Sequence, residues 1–402
     1  MSLPPSVSPL ERLWCTLEDE LQTIRDRGLL RTLSTVEAVE GATVRIQGRW
    51  MVLWCGNDYL GLSAHPRVIH AARAAADQWG VGARASRLLA GSTALHQQLE
   101  DSLAAFFGAD AAAVFASGYL TNLGVLQALV GPEDVILMDR LSHASLVDAA
   151  RLTRATLRVF RHNDAGHLHD VLRRYTRARR RIVVTEGLFS MDGDYAPLPE
   201  LLEVSRRHDA LLYVDDAHAA FAVGRTGRGS PERAGVAHEG MLYMGTLGKA
   251  LGCQGGFVVG PKAFVTYLHN RARSFIYATA LAAPVVAAAL EALRLVTEDA
   301  APRLRLGQRV ESLHAMLRRL GVLRTDDPTH IVPVVVGSAA QASELSASLW
   351  ERGMFAPAIR PPTVPERTAR LRLSLSALHT DEQLDRLGVA LSEALRAPVP
   401  SR

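Results

Sequence analysis

A chain of 402 residues with 48% hydrophobic and 21% charged residues can bury a sizeable core and has the length of two or three domain-sized units. Its net charge of +4 is small for that length, so charge alone does not mark a nucleic-acid binder. Its three cysteines, Cys15, Cys55 and Cys253, are too few for a disulfide framework and lack the paired spacing of a metal site. The cysteine usage points to a reducing, cytoplasmic setting. The N-terminal stretch has no basic start followed by an apolar core, so no secretory signal is expected. The longest apolar stretch, Ala278 to Leu290, is interrupted by Pro284 and falls short of the roughly 20 residues of a membrane span. A soluble protein without membrane contact is expected.

In chain order, Ser8-Pro9-Leu10-Glu11 reads as a helix start with a serine cap and a capping box. Leu10, Leu13, Trp14, Leu17, Leu21 and Ile24 follow at helical spacing, so an amphipathic arm runs to about Gly28. Thr43–Ile46 and Trp50–Trp54 flank Gln47-Gly48 and read as a hairpin, followed by an irregular loop at Asn57-Asp58-Tyr59. Helices are expected over Pro66–Trp79 and Thr93–Phe107, the second stopping at Gly108. Short β-rich runs then alternate with helical ones: 113–116, 135–138, 157–160, 182–185, 211–214, 242–244 and 257–259. That rhythm predicts a mainly parallel sheet covered by helices on both faces. Beyond Pro284 come long helices, strands at 331–336 and 369–375, and a last helix from Thr380 with Gln383 closing a capping box. The expected division is a helical arm and hairpin over 1–56, a large α/β domain over 57–290, and a smaller α+β domain over 291–402.

The densest basic run, Arg173 to Arg181, reads as a solvated helix end; only Tyr175 interleaves with it, which argues against a nucleic-acid groove. A polyanion-binding protein using this run is the alternative of another class, as is a scaffold of the same fold.

Ligands gather at the carboxyl ends of strands in open α/β sheets. Those ends offer Ser117-Gly118-Tyr119 opening a helix, His143 in Leu141-Ser142-His143, Ser190 within Thr185 to Asp194, and Asp215-Asp216-Ala217-His218. Each has an ordinary reading: a βα turn, a capping histidine, or, for the Asp-Asp-x-His cluster, a divalent metal. Of the 45 basic residues only Lys249 and Lys262 are lysines, so Lys249, in the flexible glycine-punctuated stretch Gly245 to Gly256, stands where an amine rather than mere charge is wanted. Lysine beside glycine is also common on surfaces. Combined, a carbonyl-reactive lysine, an acid to hold a pyridine nitrogen protonated, a flat histidine and phosphate donors at Ser117-Gly118-Tyr119 and Thr246 select pyridoxal 5'-phosphate (PLP) chemistry, with no metal.

The segments NDYLGLS from Asn57, SGYLTN from Ser117, DRLSHASL from Asp139, TEGLFSMDGDYAPL from Thr185, DDAH from Asp215, GTLGKALGCQGG from Gly245, FIYATAL from Phe275 and IRPPTVP from Ile359 span nearly the whole chain. On these the chain resembles the α-oxoamine synthase family, which implies the fold-type-I, aminotransferase-like PLP-dependent transferase architecture. The resemblance implies that Lys249 carries the cofactor and shuttles protons, Asp215 pairs with its ring nitrogen, His218 meets its phenolic oxygen and His143 stacks on the ring. Gly118, Tyr119, Ser190 and Thr246 would fix the cofactor, with Thr279 reaching the site of a second copy in a homodimer. Arg360 would clamp the amino-acid carboxylate with Asn57 and Thr363, and Arg31 would meet the acyl substrate. The implied reaction joins L-alanine to a pimeloyl thioester, on CoA or on an acyl carrier protein. The alternative within the family is the branch using glycine and acetyl-CoA, to which Ala219, directly after His218, is similar.

Overall fold

The computed structural model describes residues 8–238, 240–323 and 327–396. Ser8 caps the first helix, Pro9–Asp26, by the expected capping box, and none of its residues is buried. Three antiparallel strands follow, β1 (Val36–Glu40), β2 (Thr43–Ile46) and β3 (Arg49–Leu53). The sequence reading missed β1, whose residues are largely exposed, so that no alternating apolar face marks it. Helices Pro66–Trp79 and Ala94–Phe107 stand where expected, the latter closed by Gly108 in the left-handed conformation.

All seven β-rich runs form the central sheet: β4 (Ala111–Phe115), β5 (Val135–Asp139), β6 (Thr156–Phe160), β7 (Arg181–Glu186), β8 (Leu211–Asp215), β9 (Met241–Thr246) and β10 (Gly256–Gly260). Their order is β4-β10-β9-β8-β7-β5-β6, with only β10 antiparallel to its neighbours. Continuous burial along β5, β7 and β9 explains why they read as uninterrupted apolar runs. The C-terminal part adds β11 (Ile331–Gly337), β12 (Met354–Phe355), β13 (Ala358–Ile359) and β14 (Ala369–Ser374). Two-residue strand β12 pairs in parallel with β3, tying the N-terminal meander to the C-terminal part. A pair that short leaves no sequence period to read.

The arginine run is exposed at Arg173, Arg174, Arg177, Arg179 and Arg180, as read from the sequence, and two of its members also anchor carboxylates. Arg179 grips the buried Asp134 through two nitrogens, at 2.9 and 2.6 Å, and Arg181 reaches Asp209 at 3.2 Å.

One histidine staples three strand ends together. His162, just past β6, places Nδ1 2.9 Å from Asp139 at the end of β5 and Nε2 2.7 Å from Asp194 in the loop after β7. Burial opposes its charge, but the hydrogen bonds to Asp139 and Asp194 and their charges prevail and raise its pKa to about 10. A histidine raised in the fold stabilises fully below its unfolded value of about 6.5, and the contribution is lost as pH climbs toward the folded value. Stability should therefore fall between about pH 7 and about pH 10, and His162→Gln should flatten that slope while lowering stability near pH 6 by about 2 kcal/mol. Denaturant unfolding across this range is the check; an unchanged slope in His162→Gln would exclude a charged staple.

Candidate active site

The expected rim residues converge at the C-terminal ends of the parallel strands. Between β9 and antiparallel β10 the chain must return within a few residues, so the Lys249 loop is tied rather than flexible as the glycines suggested. Leu247 N donates to Gly255 O at 3.0 Å, Cys253 N to Leu247 O at 2.9 Å and Gly252 N to Lys249 O at 2.8 Å. Gly252 is left-handed with φ +64°, and any side chain there would run into the Ser63 backbone. The glycines permit close approach more than motion.

The Lys249 amine lies 2.8 Å from His218 Nε2. Burial depresses the ammonium; nearby Asp215 and Glu186 oppose that and Arg372 adds to it, leaving a pKa of about 8. Asp215, ending β8, accepts from Asn122 Nδ2 at 2.7 Å and from Ala217 N at 3.1 Å. Asn122 also donates to Ser145 Oγ, itself 2.8 Å from His143 Nδ1, so Asp215 and His143 share one buried network. His143 caps helix Ala144–Leu152; burial lowers its pKa, Asp215 opposes that, and Lys249 reinforces it.

Ser117 caps helix Gly118–Leu129, whose first residue packs onto the end of β9: a Cβ on Gly118 would stand 3.0 Å from Met244 Cε and 3.7 Å from Thr246 Oγ1. Tyr119, in contrast, commits its hydroxyl to Asp148 and leaves its ring exposed. Ser190 is buried in the loop after β7, its amide donating to Glu186 Oε2 at 3.1 Å. The second residue of the Asp-Asp-x-His cluster is taken up internally: Asp216 accepts from Ser230 N, Ser230 Oγ and Tyr243 Oη at 2.8, 2.6 and 2.9 Å.

Four sequence-predicted substrate residues divide into two groups. Asn57 Oδ1 lies 3.2 Å from Tyr59 Oη, beside the His218 cluster. Arg31, Arg360 and Thr363 line a separate cavity of about 740 Å³ that none of Lys249, Asp215, His218 or His143 lines. There Arg31 donates to Thr363 Oγ1 at 3.2 Å, and Arg360 donates to the main-chain carbonyls of Gly28 and Leu30.

Sequence reasoning passed over Tyr59, Asn122, Glu186 and Arg372 as individual groups. Arg372 carried a usable signal, because it and Arg370 alternate with Ala369, Leu371 and Leu373 in a run read as a strand, and β14 buries the two to 8% and 4% exposure. Arg372 Nε donates to Ser190 O and Arg370 to Asp192 at 2.7 Å. Glu186 is buried with Oε1 lacking any partner among the described residues; burial, then repulsion from Asp215, raises it to about 8.

These residues fit PLP. Among the described residues Asp215 accepts from neutral donors alone and so keeps capacity for a cationic ring nitrogen, the amine of Lys249 is partly unprotonated at neutral pH, and a helix N-terminus adjoins Thr246. Fold and site together define a PLP-dependent enzyme of fold type I. The model of the family described as aminotransferase class I and II matches residues 49–391, and the chain belongs to that family. Among its relatives are 8-amino-7-oxononanoate synthases: that of Thioalkalivibrio sulfidiphilus is 45% identical over 94% of this chain and 97% of its own length, and that of Anaeromyxobacter dehalogenans 48% identical over 94% of each. Among solved structures, serine palmitoyltransferase with PLP is 32% identical, with a TM-score of 0.91 over 97% of this chain and 99% of the other. An 8-amino-7-oxononanoate synthase from Francisella tularensis is 28% identical, with a TM-score of 0.75 over 86% and 98%.

In the cofactor-free protein, labelling of Lys249 by a small aldehyde with reductive trapping should rise through a midpoint of about pH 8. Because the Asp215 charge raises the lysine, Asp215→Asn should move that midpoint down, as mapped by mass spectrometry. An unmoved midpoint would dissolve the link between the two groups.

Proposed function

We propose that this chain catalyses the condensation of L-alanine with a pimeloyl thioester, giving 8-amino-7-oxononanoate, carbon dioxide and the free thiol, as a step of biotin biosynthesis. The observation that carries the reading is the Lys249 amine held 2.8 Å from His218 at the strand ends where Asp215 sits. Relatives at 45 and 48% identity over nearly the whole chain support the alanine branch, and none of the relatives described supports the glycine and acetyl-CoA branch, despite Ala219.

PLP, when bound, supplies an electron sink for the pair released at the amino acid α-carbon. In this reading Asp215 holds a proton on the cofactor's ring nitrogen, His143 offers a flat face and His218 binds the phenolic oxygen. Gly118 and Tyr119 through their amides, Ser190, and Thr246 through its hydroxyl hold the remaining polar groups. Lys249 takes the α-proton in its neutral form and returns a proton at the end. A carbon–carbon bond forms between the alanine α-carbon and the acyl carbonyl carbon, the thiol departs with a proton, and the alanine carboxylate leaves as carbon dioxide. To receive the amino-acid carboxylate, Arg360 leaves the carbonyls of Gly28 and Leu30 and moves with Thr363 out of their separate cavity toward Asn57, exchanging two main-chain carbonyls for a bidentate anion. Arg31 faces the acyl donor, which travels on CoA or on an acyl carrier protein.

The first helix presents Leu10, Leu13, Trp14, Leu17, Leu21 and Ile24 to solvent, a stripe that supports a homodimer, with Thr279 serving the second copy's site. The cysteines are free, which supports a reducing cytoplasmic setting, and among the described residues no helix is long and apolar enough to cross a membrane.

Turnover of L-alanine with pimeloyl-CoA, followed by mass spectrometry of the product, tests the reading against glycine with acetyl-CoA; turnover of the second pair alone would overturn it. Lys249→Arg should abolish product while keeping the charge. Arg360→Lys should raise KM for alanine by about tenfold or more, because an ammonium cannot replace the planar fork.

A further inference from the structure

His218 is enclosed by Tyr59, Lys249, Arg372, His330 and His143. Its main-chain carbonyl can only accept, so His330 Nε2, 2.9 Å away, is the donor there. Tyr59 is fully buried against the His330 ring, with centroids 4.2 Å apart. Its Oη receives Arg372 Nη2 at 3.4 Å, a contact with one direction because a guanidinium cannot accept. Tyr59 then has one hydrogen to donate and two acceptors in reach: His218 Nδ1 at 2.7 Å and Asn57 Oδ1 at 3.2 Å. The imidazole is nearer. A doubly protonated His218 is opposed by its burial and by the cations Lys249 and Arg372 beside it.

We propose that Tyr59 is a positioning residue that, once the Lys249 nitrogen carries no ammonium charge, holds His218 as a neutral imidazole with its proton on Nε2, so that a hydrogen-bond donor faces the Lys249 side of the site. The inference rests on placing Lys249 and His218 in the active centre. With the opposite tautomer Nε2 would present a lone pair, which repels an anionic oxygen where the donor attracts it. Arg372 acts through Tyr59: by filling a lone pair of the phenol oxygen it leaves the hydroxyl hydrogen turned to Nδ1.

The test is the ¹⁵N-histidine NMR spectrum of the cofactor-free protein, with the His218 signals assigned by their loss in His218→Asn. While Lys249 is an ammonium it can only donate across the 2.8 Å contact, so below about pH 7 Nε2 accepts; above about pH 9, where the amine is neutral and can accept, a neutral imidazole protonated on Nε2 is expected. A proton still on Nδ1 above about pH 9, or an imidazolium there, would overturn the proposal whatever the variants do. In Tyr59→Phe the single tautomer should give way to a mixture, and the visible absorbance of the PLP-loaded variant should titrate at a shifted pH. Its kcat should fall about tenfold or more, with KM for alanine changed less than about twofold. A Tyr59→Phe protein with the wild-type tautomer and absorbance titration would reduce Tyr59 to packing and end the proposal. The apoprotein spectrum makes no use of alanine condensation, so an Nε2-protonated His218 in a chain that fails to condense alanine sinks the proposed reaction and leaves this inference standing.

Discussion

The structure turns on keeping one amine uncharged enough to react without expelling it from the protein. Burying an isolated ammonium costs several kcal/mol, and the common escape is loss of its proton. At Lys249 the two carboxyl groups Asp215 and Glu186 pull the other way, and the compromise lies near neutrality. Each surrounding group adjusts to that compromise. His218 stays neutral because burial, reinforced by the flanking cations, disfavours its charge, and Glu186 is pushed toward its protonated form by burial and then by the carboxylate of Asp215. The site is thus a cluster of mutually dependent titrations rather than a set of independent residues.

Such a cluster works only if its members cannot move apart, and the fold supplies the restraint from several directions. The parallel sheet delivers Asp215 and Glu186 in register, the two residues lying opposite each other on β8 and β7. The tight return between β9 and β10 fixes Lys249. From the C-terminal part, Arg370 and Arg372 reach across from β14 to the Ser190–Asp192 loop, so the smaller sheet and the central sheet share the same loop. His162 grips that loop from its other end through Asp194. Arginine serves here for its fixed fork of donors, which explains why a chain so rich in arginine spends a lysine where a removable proton is wanted.

The proposed substrate side is arranged differently. Arg360 is bonded to carbonyls of the segment that follows the first helix, and the helix itself turns its apolar stripe outward. A carboxylate reaching Arg360 must outcompete two neutral acceptors, which a charged bidentate partner does. The first helix, the strap at Gly28–Leu30 and the Arg360 loop are therefore coupled through one side chain.

Much of this was determined by the sequence itself. The seven buried runs, the caps at Ser8 and Gly108, and the clustering of Lys249, His143, Asp215 and His218 follow from local rules: hydrophobic period, cap chemistry, and the tendency of strand ends to carry function. Tertiary structure alone decided what depends on partners distant in the chain. Tyr59 meets His218 across 159 positions, and Arg372 meets Ser190 across 182. The same holds for β12 on β3 and for the tied state of the Lys249 loop, where the glycines' freedom was legible but not its use. A hydrogen bond between remote side chains leaves no period or spacing in the sequence, because its geometry exists only once the core has brought the strands together.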